Sequence, residues 1–125
     1  HRGKLRRLER IIHPRVAREQ QRLVSQIAKR RPHAVIIYEV PLLFEAGVDK
    51  RVDSIIVVTA GRETQIARLK KRNGLTRAEA LQRIKSQMPL AKKARLADVL
   101  LNGSRSRSLL KEEVGHLFRR FQQLD

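Results

Sequence analysis

Two kinds of side chain in this sequence have the chemistry and spacing for work on phosphate. One is the carboxylate of Glu39, which closes the apolar, β-branched run Val35-Ile36-Ile37-Tyr38 just before Val40 and Pro41. In an open parallel sheet, ligands sit beyond the carboxyl ends of the strands. An acid there can face a bound metal, a phosphate-linked water or a substrate hydroxyl. The other is a set of arginines and an amide. Arg68 and Arg72 are four residues apart, as are Arg83 and Gln87, and Gly74 lies between the two pairs. On a helix that spacing puts both members on one face. Two helices hinged at a glycine turn can then close over a triphosphate. The guanidinium fork donates two hydrogen bonds to phosphate oxygens and stabilises charge on a moving phosphoryl group. The same spacing also describes an ordinary solvated helix face, so the pattern alone leaves both readings open.

The elements that must hold these groups follow from the periodicity. Leu5, Leu8, Ile11 and Ile12 predict a short helix. Pro14 is expected to interrupt it and open a second helix running to about Arg31. Ala34–Val40 reads as a strand and Pro41–Asp53 as a turn-rich connection. Ser54–Ala60 is a second strand, whose near-continuous apolar run fits a parallel strand covered on both faces. Arg62–Asn73 predicts a helix stopped by Gly74, and Thr76 with Glu79 has capping-box spacing for the next helix. Pro89 breaks that helix before a short one at Leu90–Ala97. Val99-Leu100-Leu101 is a third strand, and Leu109 to about Leu124 the last helix. Strands alternating with helices imply an α/β architecture with parallel pairing.

Composition narrows the classes. A chain of 125 residues is one domain or part of one. It starts at His1 rather than Met, as a processed product or an internal fragment would. With no cysteine, disulfide frameworks and thiolate metal sites are excluded, which suits a reducing cytoplasmic setting. His13, His33 and His116 have no partners at metal-ligand spacing, so no metal site is expected. No nucleophile elbow is present, which argues against hydrolytic catalysis. The 29 Lys and Arg against 12 acids give a net charge of +17, concentrated in residues 1–31 and 62–96, each at +9. Such a field favours polyanionic partners: nucleotides, phosphorylated cofactors or nucleic acid. The only aromatic residues are Tyr38, Phe44, Phe118 and Phe121, and they form no base-stacking signature.

Several segments together resemble one family. Pro41-Leu42-Leu43-Phe44-Glu45-Ala46-Gly47 after its apolar strand is similar to a segment of dephospho-coenzyme A kinases. Glu63 to Ala80 and Arg83 to Leu90 resemble the family's lid segment, and Ile11-Ile12-His13-Pro14 its upstream Leu-His-Pro junction. The matches run in the family's order from about Leu5 to Val114.

The resemblance implies an enzyme that transfers the γ-phosphoryl of ATP, with Mg, to the ribose 3′-hydroxyl of dephospho-CoA. It implies an incomplete P-loop nucleoside-monophosphate-kinase-like parallel sheet of three strands, flanked by helices and carrying a helical lid. Residues 1–33 would be a helical acceptor-side region, 34–61 and 98–125 the core, and 62–97 the lid. Arg68, Arg72, Arg83, Gln87, Asn102 and Gly103 would serve the nucleotide. His13, Pro14, Pro41, Leu42 and Leu43 would shape the acceptor side, and Glu39 would sit near the phosphates. No tightly bound cofactor is implied. The family usually has Asp where Glu39 stands, so the carboxylate here reaches farther by about an ångström or more. It also tends to read Asp-Asn-x-Gly after the last strand, where this chain has Asn102-Gly103-Ser104-Arg105.

The family's phosphate-binding loop, Gly-x4-Gly-Lys-Ser/Thr, is missing: no two of the six glycines are five apart. The chain alone is therefore expected to have little or no activity. The family's sheet order also puts a strand absent here between the first and second strands of this chain. Strands 35–40 and 54–60 are then expected either to pair directly or to be completed by a second chain or an N-terminal segment. The charge also fits a basic nucleic-acid-binding module, and a non-catalytic kinase remnant acting as a subunit is a third reading.

Overall fold

The computed structural model describes residues 2–123, apart from the side chain of Arg2. The chain divides into two compact units, residues 1–38 with 118–125, and residues 39–117.

The first unit is dominated by helix α1, Arg2–Arg30. It is continuous through Pro14, contrary to the interruption expected at the His13-Pro14 junction. Proline lacks an N–H, so the bond to the carbonyl one turn back is lost. Uninterrupted helix-forming sequence on both sides, rich in Arg, Leu, Glu and Gln, carries the helix past the gap. Lys29 and Arg30 lie in the last turn, where cations offset the exposed carbonyls. Arg22 forms a fork on the Glu19 carboxylate at 2.8 and 2.5 Å. Of the apolar positions at helical spacing, Leu5, Leu8, Ile11, Ile12, Val16, Leu23 and Ile27 remain exposed and Val24 is half-buried.

Residues 34–40, expected as a strand, make no ladder. An extended segment becomes a strand only when a neighbour takes its N–H and C=O groups. Among the described residues the sole sheet has two strands, so the direct pairing of 35–40 with 54–60 does not occur and the three-strand expectation is corrected to two.

The second unit contains that sheet: β1, Ile56–Thr59, and β2, Val99–Asn102. They pair in parallel, with Ile56 opposite Val99 and Thr59 opposite Asn102. Asp98 fixes the start of the pairing, because its Oδ2 accepts from Ile55 N at 2.7 Å and its own N–H donates back to Ile55 O at 2.9 Å. With two strands each is an edge. Val57 and Leu101 are buried, whereas Ile56, Val58 and Leu100 keep 39–55% exposure, so the expected cover on both faces of β1 is not found.

Three helices make the crossover. Helix α2, Arg62–Asn73, ends on Gly74, which adopts φ +66° and returns its N–H to Lys70 O. Glycine takes this left-handed position without a Cβ penalty. Helix α3, Arg77–Lys85, starts at the predicted capping box: Thr76 accepts from Glu79 N, and the Glu79 carboxylate accepts from Thr76 N at 2.8 Å. Helix α4, Leu90–Arg95, follows Pro89. Helix α2 packs on α3, and α4 packs on β1. Helix α5, Arg107–Gln122, completes the described chain, and the expected terminus near Leu124 lies outside the described residues. The core of this unit is small and aliphatic: Val48, Val57, Ile66, Ala80, Leu101 and Leu117. The result is an α/β architecture with a small parallel sheet flanked by helices.

Candidate functional site

The carboxyl ends of β1 and β2 are where an open α/β sheet presents a ligand site. The turn after β2 is built there with little slack. Gly103 N–H donates to Thr59 O at 2.7 Å, Thr59 Oγ1 donates to Leu101 O at 3.3 Å, and Asn102 Oδ1 accepts from Ser104 N at 2.9 Å. Arg68 reaches this turn from α2, and its Nη2 donates to Gly103 O at 2.6 Å. One of its five N–H donors is thereby engaged. Gln65 Nε2, on the same helix, donates to Ala60 O at 2.8 Å and fixes the start of α2 to the end of β1.

Gly103 is glycine for want of space, not for an unusual backbone angle. Its φ is not positive, but a Cβ would meet Val58 Cγ1 at 2.8 Å and Thr59 O at 3.0 Å. Arg105, two residues on, needs no left-handed backbone and pairs with Glu113. Arg68, Asn102 and Gly103 are therefore brought together.

A second cluster joins Pro41 and Gln87 through a residue that the sequence reading did not single out. Lys93, in α4, is buried, and its side chain is only 11% exposed. Its Nζ donates to Pro41 O at 2.9 Å and to Gln87 Oε1 at 3.4 Å, and pairs with Glu45 Oε1 at 3.0 Å. Glu45 Oε1 also accepts from Met88 N at 2.8 Å. Burial of Glu45 opposes its ionisation. The Met88 N–H, its own backbone amide and the Lys93 ammonium outweigh that effect and hold the carboxyl below its usual range. The acid of the Pro-Leu-Leu-Phe-Glu run was visible in the sequence. Its cation was one lysine of the Lys92-Lys93 doublet, with nothing local to distinguish it.

The remaining candidates stand apart. Arg72 is exposed, and its Nε donates only to the neighbouring Asn73 Oδ1 at 3.1 Å. Arg83 lines a shallow hollow of 260 Å³ with Leu75, Glu79, Gln82 and Ser86, which includes neither Arg68 nor Arg72. Glu39 is exposed. Leu42 and Leu43 lie in the turn closed by Ala46 N to Leu42 O and Val48 N to Leu43 O, both 2.9 Å. His13 and Pro14 lie in α1, in the other unit. Among the described residues no three His, Asp or Glu side chains cluster as metal ligands, and no helix is long and apolar enough to cross a membrane.

The family model described as CoaE, dephospho-CoA kinase, matches residues 1–108. The dephospho-CoA kinase of Synechocystis sp. is 50% identical over 97 residues, 78% of this chain and 47% of that protein. That of Carboxydothermus hydrogenoformans is 37% identical over 124 residues, 99% of this chain and 60% of that protein. The crystal structure of TT1252 from Thermus thermophilus superposes with a TM-score of 0.77 at 30% identity, covering 96% of this chain and 61% of that one. The chain spans about half the length of several of the curated relatives it matches. With the family model matched over residues 1–108 and relatives 37–50% identical over most of the chain, this chain belongs to the dephospho-CoA kinase family.

Proposed function

We propose that this chain is the acceptor- and lid-bearing portion of an enzyme that transfers the γ-phosphoryl group of ATP to the ribose 3′-hydroxyl of dephospho-CoA, the last step of coenzyme A synthesis. The observation that carries the reading is the Arg68–Gly103 bond at the carboxyl ends of the strands, in a chain whose family is dephospho-CoA kinase. Arg68, Asn102 and Gly103 serve the nucleotide's base side, and the free N–H groups of Arg68 face the same ligand. Arg72, Arg83 and Gln87 donate to the phosphates as the helices of 62–97 close. Glu39 lies near the transferred group. His13 and Pro14, in an acceptor-side region 1–33, and the Pro41-Leu42-Leu43 turn shape the site for dephospho-CoA. Residues 34–61 and 98–125 form the core that carries them.

ATP arrives with Mg. The described residues offer no cluster of three His, Asp or Glu side chains for the ion. No Gly-x4-Gly-Lys-Ser/Thr loop exists in these 125 residues, so the chain on its own grips the phosphates weakly and turns over little. A second chain or a further segment supplies that loop and the sheet neighbour for residues 34–40. The setting is cytoplasmic.

ATP titration of the chain, followed by amide chemical shifts, tests the reading. Shifts are expected at Asn102, Gly103 and along α2 with ATP, and not with ribose 5-phosphate. No ATP-dependent shift there overturns the nucleotide-side assignment. Brisk ADP release with dephospho-CoA by these residues alone overturns the need for an added loop. The net charge of +17 favours one rival, a nucleic-acid-binding module, which predicts duplex binding that falls steeply with salt.

A further inference from the structure

Lys93 is the one buried charged residue among the described residues, and it touches two segments proposed to meet different substrates. Its three partners are the Pro41 carbonyl, the Glu45 carboxylate and the Gln87 side chain. The carboxylate neutralises the buried ammonium, and the carbonyl and the amide oxygen take its other two N–H donors. The third contact constrains the amide. An ammonium has three N–H donors and no acceptor, so the atom of Gln87 that faces it must be Oε1, not Nε2. A carboxamide whose oxygen is held in this way has its NH2 directed elsewhere. No described residue accepts a hydrogen bond from Gln87 Nε2. Gln87 is half-buried, in the turn that links α3 to α4, one helical turn beyond Arg83.

We infer that Lys93 is a positioning residue: by holding Gln87 Oε1 it presents the Gln87 NH2 as a fixed donor to an anionic oxygen of the phosphate chain. Glu45 keeps Lys93 in place from the other side and, through Met88 N–H, fixes the backbone next to Gln87. Because Lys93 also holds the Pro41 carbonyl, the orientation of a phosphate-side donor is tied to the position of the Pro41–Gly47 turn. The inference rests on the proposed placement of Gln87 at the phosphates, and the test separates the two.

The test follows the Gln87 side-chain NH2 by 15N relaxation and chemical shift in the 125-residue chain, using inorganic tripolyphosphate as the probe. In the unaltered chain a rigid NH2 is expected before any anion is added, and a saturable shift on titration. Lys93→Met should free the carboxamide and weaken the tripolyphosphate response about tenfold, the scale of one charge-assisted hydrogen bond. Lys93→Arg, which keeps a donor-only cation, should restore much of it. Since Lys93→Met strands the Glu45 carboxylate and can unfold the unit, the pair Glu45→Gln with Lys93→Met removes both charges together. It should keep the fold and still lose the rigid NH2. A Gln87 NH2 that is mobile in the unaltered chain, or one equally rigid and responsive in the double variant, overturns the inference. If ATP fails to shift Asn102 and Gly103 while tripolyphosphate moves Gln87 in a Lys93-dependent way, the nucleotide reading falls and the positioning role stands.

Discussion

Replacing Gly103 by alanine tests whether the strand-end turn is held by contact. The added Cβ would lie 2.8 Å from Val58 Cγ1 and 3.0 Å from Thr59 O. Val58 is β-branched and stiff at χ1, and the Thr59 oxygen is backbone, so neither yields easily. The turn must move instead. Moving it stretches Gly103 N–H to Thr59 O, now 2.7 Å, and Arg68 Nη2 to Gly103 O, now 2.6 Å. Overpacking of this kind costs about 1–3 kcal/mol, and each weakened hydrogen bond adds up to about 1 kcal/mol. The total of roughly 2–4 kcal/mol is a large part of the stability of a small domain. Gly61→Ala is the matched control, because the nearest atom to its added Cβ is Thr64 Oγ1 at 4.0 Å. Urea unfolding of the two variants, read by circular dichroism, compares them directly. Gly103→Ala should unfold at markedly lower urea, and the Arg68 side-chain resonance should shift. If its stability lies within roughly 0.5 kcal/mol of Gly61→Ala, the close-approach argument is wrong.

Three other expectations follow from separate parts of the molecule. Thr76→Ala removes the oxygen that accepts Glu79 N and should cost about 1 kcal/mol, with lower helicity in α3; unchanged amide exchange at Arg77–Ala80 would refute it. Glu45 has a depressed carboxyl pKa, so its contribution is present above the ordinary value of 4.5 and is lost as pH falls through the lower folded value. Unfolding midpoints measured from about pH 6 down to about pH 3 should therefore fall more for the unaltered chain than for Glu45→Gln, and parallel curves would contradict this. Pro14→Ala restores an N–H inside α1 and should raise its stability by about 3 kcal/mol, seen as higher helical ellipticity and a higher melting temperature; an unchanged melt would show that the proline gap costs nothing.

Local chemistry made much of this protein legible. The capping box at Thr76, the Gly74 stop, the strand centred on Val57 and the apolar stripes are all short-range patterns, each set by a residue and its neighbours a few positions away. The arginine spacing on α2 and the ordered family segments were equally visible. Two expectations failed for different reasons. Residues 34–40 have strand-forming side chains, yet a strand exists only when another backbone bonds to it. Pro14 looked like a boundary, but one missing hydrogen bond is a smaller term than two flanking stretches of good helix.

The sequence by itself determined the family, the α/β alternation and the side chains available for phosphate chemistry, because these depend on residue identity and order. Only tertiary structure decided that Arg68 meets Gly103 across 35 residues and that Lys93 reaches Pro41 across 52. Those contacts depend on where the βαβ crossover returns the chain. Many lysines and arginines in this sequence look alike until packing excludes water around one of them.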